Sequence, residues 1–146
     1  KLLEKSHNIT FTDAREIRIN PVYKEITNEM KQLINQIKKA DNIIIGMGVH
    51  NYSINDSLKI ILDNCFEGAT GKLFGIICAA GGEKSYLSTM HLTQICMHEW
   101  RMIQLPRIIY ATSSDFSNNS ISSEEIIKRI YVFCKEFTSI GKKLIS

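Results

Sequence analysis

The sequence predicts an α/β fold: a doubly wound parallel sheet covered by helices on both faces, in three layers (α/β/α). Short runs of apolar and β-branched residues, such as 42–47 and 72–80, are typical of strands buried on both faces. These runs alternate with stretches whose apolar residues recur at helical spacing, and the connections are short. Such alternation is the pattern of a parallel sheet between two helical layers. With 146 residues, the chain is expected to form one domain, 1–146, with a sizeable core.

Charge and composition exclude several classes of protein. The net charge is only +3 and acidic and basic residues are interleaved, so no nucleic-acid partner is expected. No apolar run approaches the roughly 20 residues of a transmembrane helix. The four cysteines are widely separated in apolar surroundings, which predicts reduced core thiols and a cytoplasmic or organelle-stromal location. His91 and His98 lack the one-turn spacing of a zinc pair, so structural or interface roles are expected for them and no metal site is assigned.

In the first half of the chain, two strands and two helices are expected. The alternating stretch 9–12 has the pattern of a half-buried edge strand, and 42–47 has that of a buried strand. The apolar stripe of the helix between them consists of Ile26, Met30, Leu33, Ile34 and Ile37. A second helix is expected over about 56–66, stopped by Gly68. Its cap is Asn55 or Asp56, and its buried face consists of Leu58, Ile61, Leu62 and Cys65.

The second half continues the alternation, with strands at 72–80 and 107–111. Between them, residues 85–100 predict a helix that is apolar over a wide arc and therefore needs two covering surfaces. One surface is its own sheet. The other is either a partner subunit or a loop of the same chain.

A polar loop, 112–120, precedes the last predicted helix. That helix opens with a capping box, in which Ser122 and Glu125 satisfy exposed backbone donors reciprocally. Its expected buried face consists of Ile126, Ile127, Ile130, Phe133, Cys134 and Phe137. The whole pattern contains four strands, whereas a closed doubly wound domain usually has five.

Two loops are candidates for a ligand site. In an open parallel sheet, ligands bind beyond the carboxyl ends of the strands, where the connecting loops diverge. The first loop, 48–55, offers a glycine, two flat rings and free backbone N–H groups just before a helix. The second loop, 79–85, contains Gly81 and Gly82, whose small size lets the backbone approach a planar ligand closely.

The stretch 48–63 resembles the NADPH-dependent FMN reductase family, which carries the pattern P-x-Y-N-G-S-x-P-G-x-L-K-N-x-L-D at this place. The residues that match in register are Asn51, Ser53, Leu58, Lys59, Leu62 and Asp63. Downstream, Gly71-Lys72 and Ala80-Gly81-Gly82 resemble the family's G-K-P strand and its S-x-x-G-G loop. The resemblance extends from about residue 8 to the end of the chain, with the elements in the family's order.

The resemblance implies a flavodoxin-like sheet with FMN lying across the strand ends. The cofactor-binding residues that it implies are Gly48, Val49, His50, Asn51 and Ser53 in the first loop and Ala80, Gly81 and Gly82 in the second. The backbone of the first loop would hold the pyrimidine side of the flavin ring, and the second loop would lie beside the ring. In such enzymes the hydride passes directly between the stacked nicotinamide and the flavin, so no catalytic side chain is assigned.

A basic residue near the second loop is the candidate contact for NADPH. Lys84, Arg101 and Arg107 each carry a charge that pairs well with a 2′-phosphate, and we assign the contact to Lys84. The alternative for each of these residues is an ordinary solvated surface charge.

The sequence departs from the family's pattern at both ends of the expected flavin. His50 stands where the family has Tyr, Tyr52 where it has Gly, and Asn55 and Asp56 where it has Pro and Gly. The G-S-x-R-x-x-S loop, which in the family follows the first strand and cradles the FMN phosphate, is absent. We therefore expect that the sequence is N-terminally incomplete, with that strand and loop before Lys1. The alternative is a protein that has lost its phosphate site.

Two functions follow as hypotheses. The first is an NADPH-dependent reductase that passes a hydride through FMN to a quinone, free flavin, metal or other acceptor, assembled as a homodimer or tetramer through helix 85–100. The second is a non-catalytic flavodoxin-like subunit with a structural or assembly role in a larger complex. A bound flavin discriminates between them.

Overall fold

The computed structural model describes residues 3–4 and 7–145 of the chain. Its helices are α1 (Asn28–Lys39), α2 (Asp56–Cys65), α3 (Thr89–Gln94) and α4 (Glu124–Ile145). Its strands are β1 (Asn42–His50), β2 (Ser53–Ile54), β3 (Leu73–Ala80), β4 (Ile103–Gln104), β5 (Ile109–Thr112), β6 (Phe116–Ser117) and β7 (Ser120–Ile121). Short 3₁₀ turns span Glu67–Ala69, Glu83–Ser88 and Ser113–Asp115, and a π-helical turn, Ile95–Glu99, continues α3. In this described part of the chain, no helix is long and apolar enough to cross a membrane.

β3 is the centre of the main sheet. It pairs in parallel with β1 along one edge, from Asn42↔Leu73 to Gly48↔Ala79. The short strands β4 and β5 pair in parallel with the beginning and the end of its other edge. β2 folds back antiparallel on the end of β1. The carboxyl ends of β1, β3 and β5 therefore meet at one edge of the sheet, and the predicted α/β class is confirmed.

The two faces of the sheet carry separate apolar cores, because successive side chains of a strand point to opposite faces. Helices α1, α2 and α3 pack on one face, whose largest fully buried side chains include Met30, Leu62, Phe74, Ile76 and Leu92. Helix α4 packs on the other face, around Leu73, Ile109, Phe133 and Phe137. The structure thus has the predicted helix–sheet–helix arrangement.

Helix α4 approaches the sheet closely at Gly75. A Cβ atom at this position would lie only 2.5 Å from Cζ of Phe133 and 3.3 Å from Cδ2 of Phe137. The two phenylalanine rings are stacked, with centroids 5.9 Å apart. The absence of a side chain at Gly75 is therefore what lets the two rings sit against the backbone of β3.

The first two helices agree closely with the predicted stripes. Met30, Leu33 and Ile37 are buried on α1, and the Thr27 hydroxyl caps this helix by accepting from the Met30 N–H. Ile26 precedes the helix and is exposed, which corrects its place in the stripe.

Helix α2 has the predicted buried face, Leu58, Ile61, Leu62 and Cys65. Its cap is Asn55, whose side-chain oxygen accepts from the Leu58 N–H at 2.9 Å. The helix ends at Cys65, before the predicted stop at Gly68, because the chain tightens into a 3₁₀ turn that contains Gly68.

The later elements need four corrections. The predicted helix 85–100 is three successive turns of different pitch, 3₁₀, α and π. The last helix is capped by Ser123, which accepts from the Ile126 N–H, because the Ser122 hydroxyl donates to the Asp115 carbonyl instead. Ile127 is exposed on α4 rather than buried. The predicted polar loop 112–120 also contains the small hairpin of β6 and β7.

The predicted edge strand 9–12 is not a strand in the structure. The segment is irregular and the Phe11 side chain is 85% exposed. Among the described residues, no strand lies along the outer edge of β1 from Asn42 to Met47. Segment 9–12 does not pair with this edge, and without pairing to a neighbour its alternating pattern is not enough to make it a strand.

The two central strands are not buried on both faces along their whole length. Gly46 and Gly48 of β1 and Ile77 and Ala79 of β3 are exposed on the α4 face, Ile77 by 38%. They are neighbours across the two strands, because Gly46 pairs with Ile77 and Gly48 with Ala79. Helix α4 covers Leu73 and Gly75 of β3 and also Ile109 and Ala111 of β5, but it does not cover the ends of β1 and β3 on this face. The carboxyl-end halves of β1 and β3 therefore form an open apolar floor on this face, next to the strand ends.

Candidate ligand site at the strand ends

The first wall of the site is a tight β-hairpin rather than the open loop predicted over 48–55. Strand β1 continues to His50, and the chain reverses through Asn51 and Tyr52 before β2 pairs back at Ser53 and Ile54. Both reversing residues have positive φ, 46° and 63°. A two-residue hairpin of the I′ type requires positive φ at both central positions. The hairpin therefore holds the backbone of Val49 to Tyr52 in one defined shape.

Tyr52 is a strained residue in this hairpin. Bulky side chains rarely adopt positive φ, and the left-handed conformation costs a non-glycine residue about 1–2 kcal/mol. Asn51 tolerates it better, because its short polar side chain bonds locally. The strain explains why glycine is the expected residue where this chain has Tyr52.

A side-chain hydrogen bond ties the back of the hairpin to helix α3. His91 Nδ1 lies 2.8 Å from Ser53 Oγ. Ser53 therefore directs its hydroxyl towards α3, and the contact with His91 ties this helix to the hairpin.

The second wall is the end of β3, Ala80, followed by Gly81 and Gly82. Gly82 is extended, with φ −170° and ψ 176°. A Cβ atom added at Gly48, Gly81 or Gly82 would meet no atom within 4 Å. The space beside these backbones is open, so a planar ligand can approach their peptide groups.

The third wall comes from the end of β5 and was missed by the sequence analysis. The Tyr110 hydroxyl donates to the Gly82 carbonyl at 2.7 Å, and the Ser113 hydroxyl donates to the Gly81 carbonyl at 3.0 Å. The Tyr110 ring also packs edge-on against Tyr86, with centroids 5.2 Å apart. Burial raises the pKa of Tyr110, so the phenol keeps its proton and remains a donor at neutral pH.

A polar turn closes the end of β5. The Asp115 carboxylate accepts from the Thr112 N–H at 2.7 Å and from the Thr112 hydroxyl at 3.0 Å. These hydrogen bonds favour the charged carboxylate and lower the pKa of Asp115. The turn holds Ser113 in place beside Gly81.

The structure brings most of the predicted cofactor-binding residues to the same edge of the sheet. Gly48 is in register with Ala79, and Ala80 with Thr112, so the first and second loops leave neighbouring strands side by side. Val49, His50 and Asn51 extend this edge along the hairpin. Ser53 lies on the returning arm of the hairpin, facing α3.

The basic candidates are distributed differently. Lys84 is exposed in the 3₁₀ turn that directly follows Gly82. Arg101 lies just before β4, which pairs with the amino end of β3, so it is at the opposite end of the sheet. Arg107 is held by Glu136, with Nε 2.8 Å from the carboxylate. Of the three, only Lys84 adjoins the site. Arg101 and Arg107 precede β4 and β5, so they lie at the amino ends of these strands, away from the site.

The buried thiols take no part in the site. Cys65, Cys78 and Cys96 are free and buried, and burial raises their pKa to about 11, 11 and 12. They stay protonated at neutral pH and pack as apolar groups, as predicted. Cys134 is only partly buried.

Comparison with known proteins bears on this geometry. The family model for NADPH-dependent FMN reductase matches residues 1–117, which is most of the chain. The chain belongs to this family. The resemblance recognised in the stretch 48–63 is therefore confirmed.

A curated relative is the NADH-dependent FMN reductase SfnF of Pseudomonas fluorescens (strain Pf0-1). It is 28% identical over 128 residues, which cover 86% of this chain and 68% of the relative. The family and this relative are both described as FMN reductases.

Solved structures establish the flavodoxin-like fold. The flavoenzyme FerB of Paracoccus denitrificans, an NAD(P)H:(acceptor) oxidoreductase, superposes with a TM-score of 0.76 at 15% identity, covering 97% of this chain and 84% of that one. An oxidoreductase of Corynebacterium diphtheriae superposes with a TM-score of 0.69 at 20% identity, covering 82% of this chain. The chain spans 65% of that protein's length.

The residues present fit one part of FMN. The open space beside Gly48, Gly81 and Gly82 and the exposed backbone of the hairpin suit the flat flavin ring. The 146-residue sequence contains no glycine–serine–arginine loop for the phosphate. The residues at this edge of the sheet thus fit the flat ring of FMN, and both loops are held by neighbouring side chains.

Proposed function

We propose that this protein is a reductase that binds the flavin ring of FMN between the β1–β2 hairpin and the Gly81-Gly82 loop. The observation that carries the proposal is the open space beside three glycines at the ends of two neighbouring parallel strands. FMN, when bound, supplies hydride acceptance from a nicotinamide nucleotide and electron transfer to an acceptor such as a quinone, free flavin or metal.

The chain's own contribution is to bind and orient the ring. Backbone groups of Val49, His50 and Asn51 present hydrogen-bonding atoms in a fixed hairpin. Fixed backbone donors stabilise negative charge without reorganising, which is what a flavin-ring site requires. No acid or base among the side chains is needed for a direct hydride transfer, so none is assigned a catalytic role.

The proposed reductant is NADPH, with Lys84 as the contact for its 2′-phosphate. Lys84 is exposed and adjoins the glycine loop, where an ammonium group is free to pair with a phosphate. NADH is the competing reductant, since the curated relative is named as NADH-dependent. Buried, protonated thiols support a reducing compartment, the cytoplasm or an organelle stroma.

The direct test is whether the protein from its complete gene carries flavin. We expect a yellow protein with absorption near about 375 and 450 nm, as for an oxidised flavin, bleached by NADPH faster than by NADH. Removal of the flavin and titration with FMN should restore the spectrum. A colourless protein that takes up no added FMN would contradict the proposal and favour the alternative, a flavodoxin-like subunit with a structural role.

The open edge of β1 supports a proposal about the domain. We propose that a further strand, outside residues 1–146, pairs along this edge and carries the loop for the FMN phosphate. The exposed part of the floor around Gly46 and Ile77 leaves room for a helix that follows such a strand. The protein from the complete gene should then bind FMN more than tenfold more tightly than riboflavin, because contacts to charged phosphate are strong. Equal affinities for FMN and riboflavin would contradict this proposal without contradicting the proposed site for the flavin ring.

We also propose that the turn-rich segment 83–99 packs against a second copy of the protein. It exposes four large apolar side chains on the surface, Leu87 by 61% and Met90 by 52%, together with Tyr86 and Met97. An exposed apolar patch of this kind marks an interaction surface.

A charge substitution tests this oligomer. We expect wild-type protein to sediment as a dimer or tetramer and Met90→Glu to sediment as a monomer. Ile127→Glu, at an equally exposed apolar position on α4, is the matched control and should keep the wild-type mass. A wild-type monomer at micromolar concentration, or a Met90→Glu variant of unchanged mass, would refute the proposal.

A further inference from the structure

We propose that Tyr110 and Ser113 are positioning residues that orient the Gly81-Gly82 loop for the flavin ring. The inference rests on the proposed function and adds two residues to the site, neither of which the sequence motif includes. Both side chains come from the end of β5, the strand next to the loop on the side away from β1.

The loop itself lacks side chains that would fix its shape. Glycine populates many backbone conformations that other residues avoid, so two in succession form a flexible connection. The Cβ positions of Gly81 and Gly82 have no atom within 4 Å, so packing does not select one conformation. The hydrogen bonds from Ser113 to the Gly81 carbonyl and from Tyr110 to the Gly82 carbonyl are what hold it.

These two bonds also determine where the loop's donors point. In a trans peptide, the N–H group points opposite to the carbonyl of the same unit. The Gly81 carbonyl shares its unit with the Gly82 N–H, and the Gly82 carbonyl with the Glu83 N–H. With both carbonyls engaged by side chains of β5, these two N–H groups point away from β5. They are held ready for a ligand that lies between the loop and the β1–β2 hairpin.

The Tyr110 side chain is held in place by the packing of its ring. Its ring packs against the Tyr86 ring and against the α1–α3 core, so the hydroxyl is held in place before any ligand binds. Ser113 is anchored through its neighbour Thr112, whose N–H and hydroxyl are bonded to Asp115. A preorganised support of this kind reduces the ordering cost of ligand binding.

The test separates the hydroxyl groups from the packing. Tyr110→Phe keeps the ring and removes only the donor, and Ser113→Ala removes the other donor. Tyr131→Phe and Ser139→Ala, both on α4 and remote from the loop, are the matched controls. We expect each loop variant to bind FMN about fivefold more weakly and the double variant more than tenfold, the changes that one and two lost hydrogen bonds correspond to.

A second measurement does not depend on flavin. In the flavin-free protein, amide hydrogen exchange at Gly82 and Glu83 should be faster in both loop variants than in the controls, with the melting temperature nearly unchanged. FMN affinities equal to those of the controls would overturn the inference, and so would unchanged exchange at these amides. If the wild type binds no FMN, the proposed function fails, while the exchange measurement still decides whether Tyr110 and Ser113 hold the loop.

Discussion

Replacing Gly81 by valine is expected to weaken FMN binding strongly while the domain stays folded. The position has room for a side chain, because a Cβ atom there meets nothing within 4 Å, and its φ is not in the left-handed region. That same room is the space proposed for the flavin ring, and a branched side chain would fill it. A forced overlap of this size costs about 1–3 kcal/mol, which weakens binding by about 5-fold to 150-fold.

The measurement is a fluorescence titration of flavin-free protein with FMN, combined with a denaturation curve. Gly81→Ala is the graded control and should lose less affinity than Gly81→Val, because its methyl group occupies less of the open space. A Gly81→Val protein that binds FMN like the wild type would remove this loop from the site. Loss of the folded state would instead show that the loop is structural.

Gly75→Ala is expected to destabilise the whole domain. The new methyl carbon would lie 2.5 Å from Cζ of Phe133, a side chain that is almost fully buried between β3 and α4. Phe133 is stacked on Phe137, so neither ring moves without disturbing the packing of the helix. Overpacking of a core in this way costs about 1–3 kcal/mol in the free energy of unfolding.

Urea denaturation measures this loss as a lower midpoint. Gly82→Ala is the control, since its backbone is extended and the space beside it is open, and its midpoint should stay close to that of the wild type. Phe133→Leu in the Gly75→Ala background should recover part of the stability by making room for the methyl group. Equal midpoints for Gly75→Ala and wild type would contradict the close approach of α4 to β3.

Both predictions concern glycines, and the sequence alone does not distinguish their roles. Gly75 lies inside a predicted buried strand and Gly81 lies just after it. Only the structure places Gly75 beneath two aromatic rings and Gly81 beside open space. The distinction depends on whether another element packs against each glycine. The residues that pack against Gly75, Phe133 and Phe137, are distant from it in the chain.

The helices α1 and α2 were predicted closely from the sequence. The stripe of Met30, Leu33 and Ile37 and the cap at Asn55 depend on residues within two turns of one another, so local spacing is sufficient to find them. The cap of α4 was displaced by one residue, to Ser123, because Ser122 is engaged by Asp115 across a turn. Two adjacent serines are equivalent in the sequence, and only a tertiary contact distinguishes them.

The β1–β2 hairpin was not predicted from the sequence, because the usual turn residues are missing. Asn-Gly between two strands is the strongest local sign of a two-residue hairpin, and this chain has Asn51-Tyr52 instead. The structure forms the turn nonetheless, with Tyr52 at φ 63°. Strand pairing from Val49 to Ile54 and the bond from Ser53 to His91 stabilise the turn that Tyr52 by itself disfavours.

The sequence by itself determined the alternating α/β order, the buried faces of α1 and α2 and the two glycine-containing segments at the strand ends, because these follow from local periodicity and backbone chemistry. The tertiary structure decided that 9–12 is not a strand, that 48–55 is a hairpin, and that Tyr110 and Ser113 hold the second loop. Each of these depends on which strands lie side by side. Hydrogen bonds between neighbouring strands join residues that are far apart in the chain, and local sequence patterns do not show which residues these are.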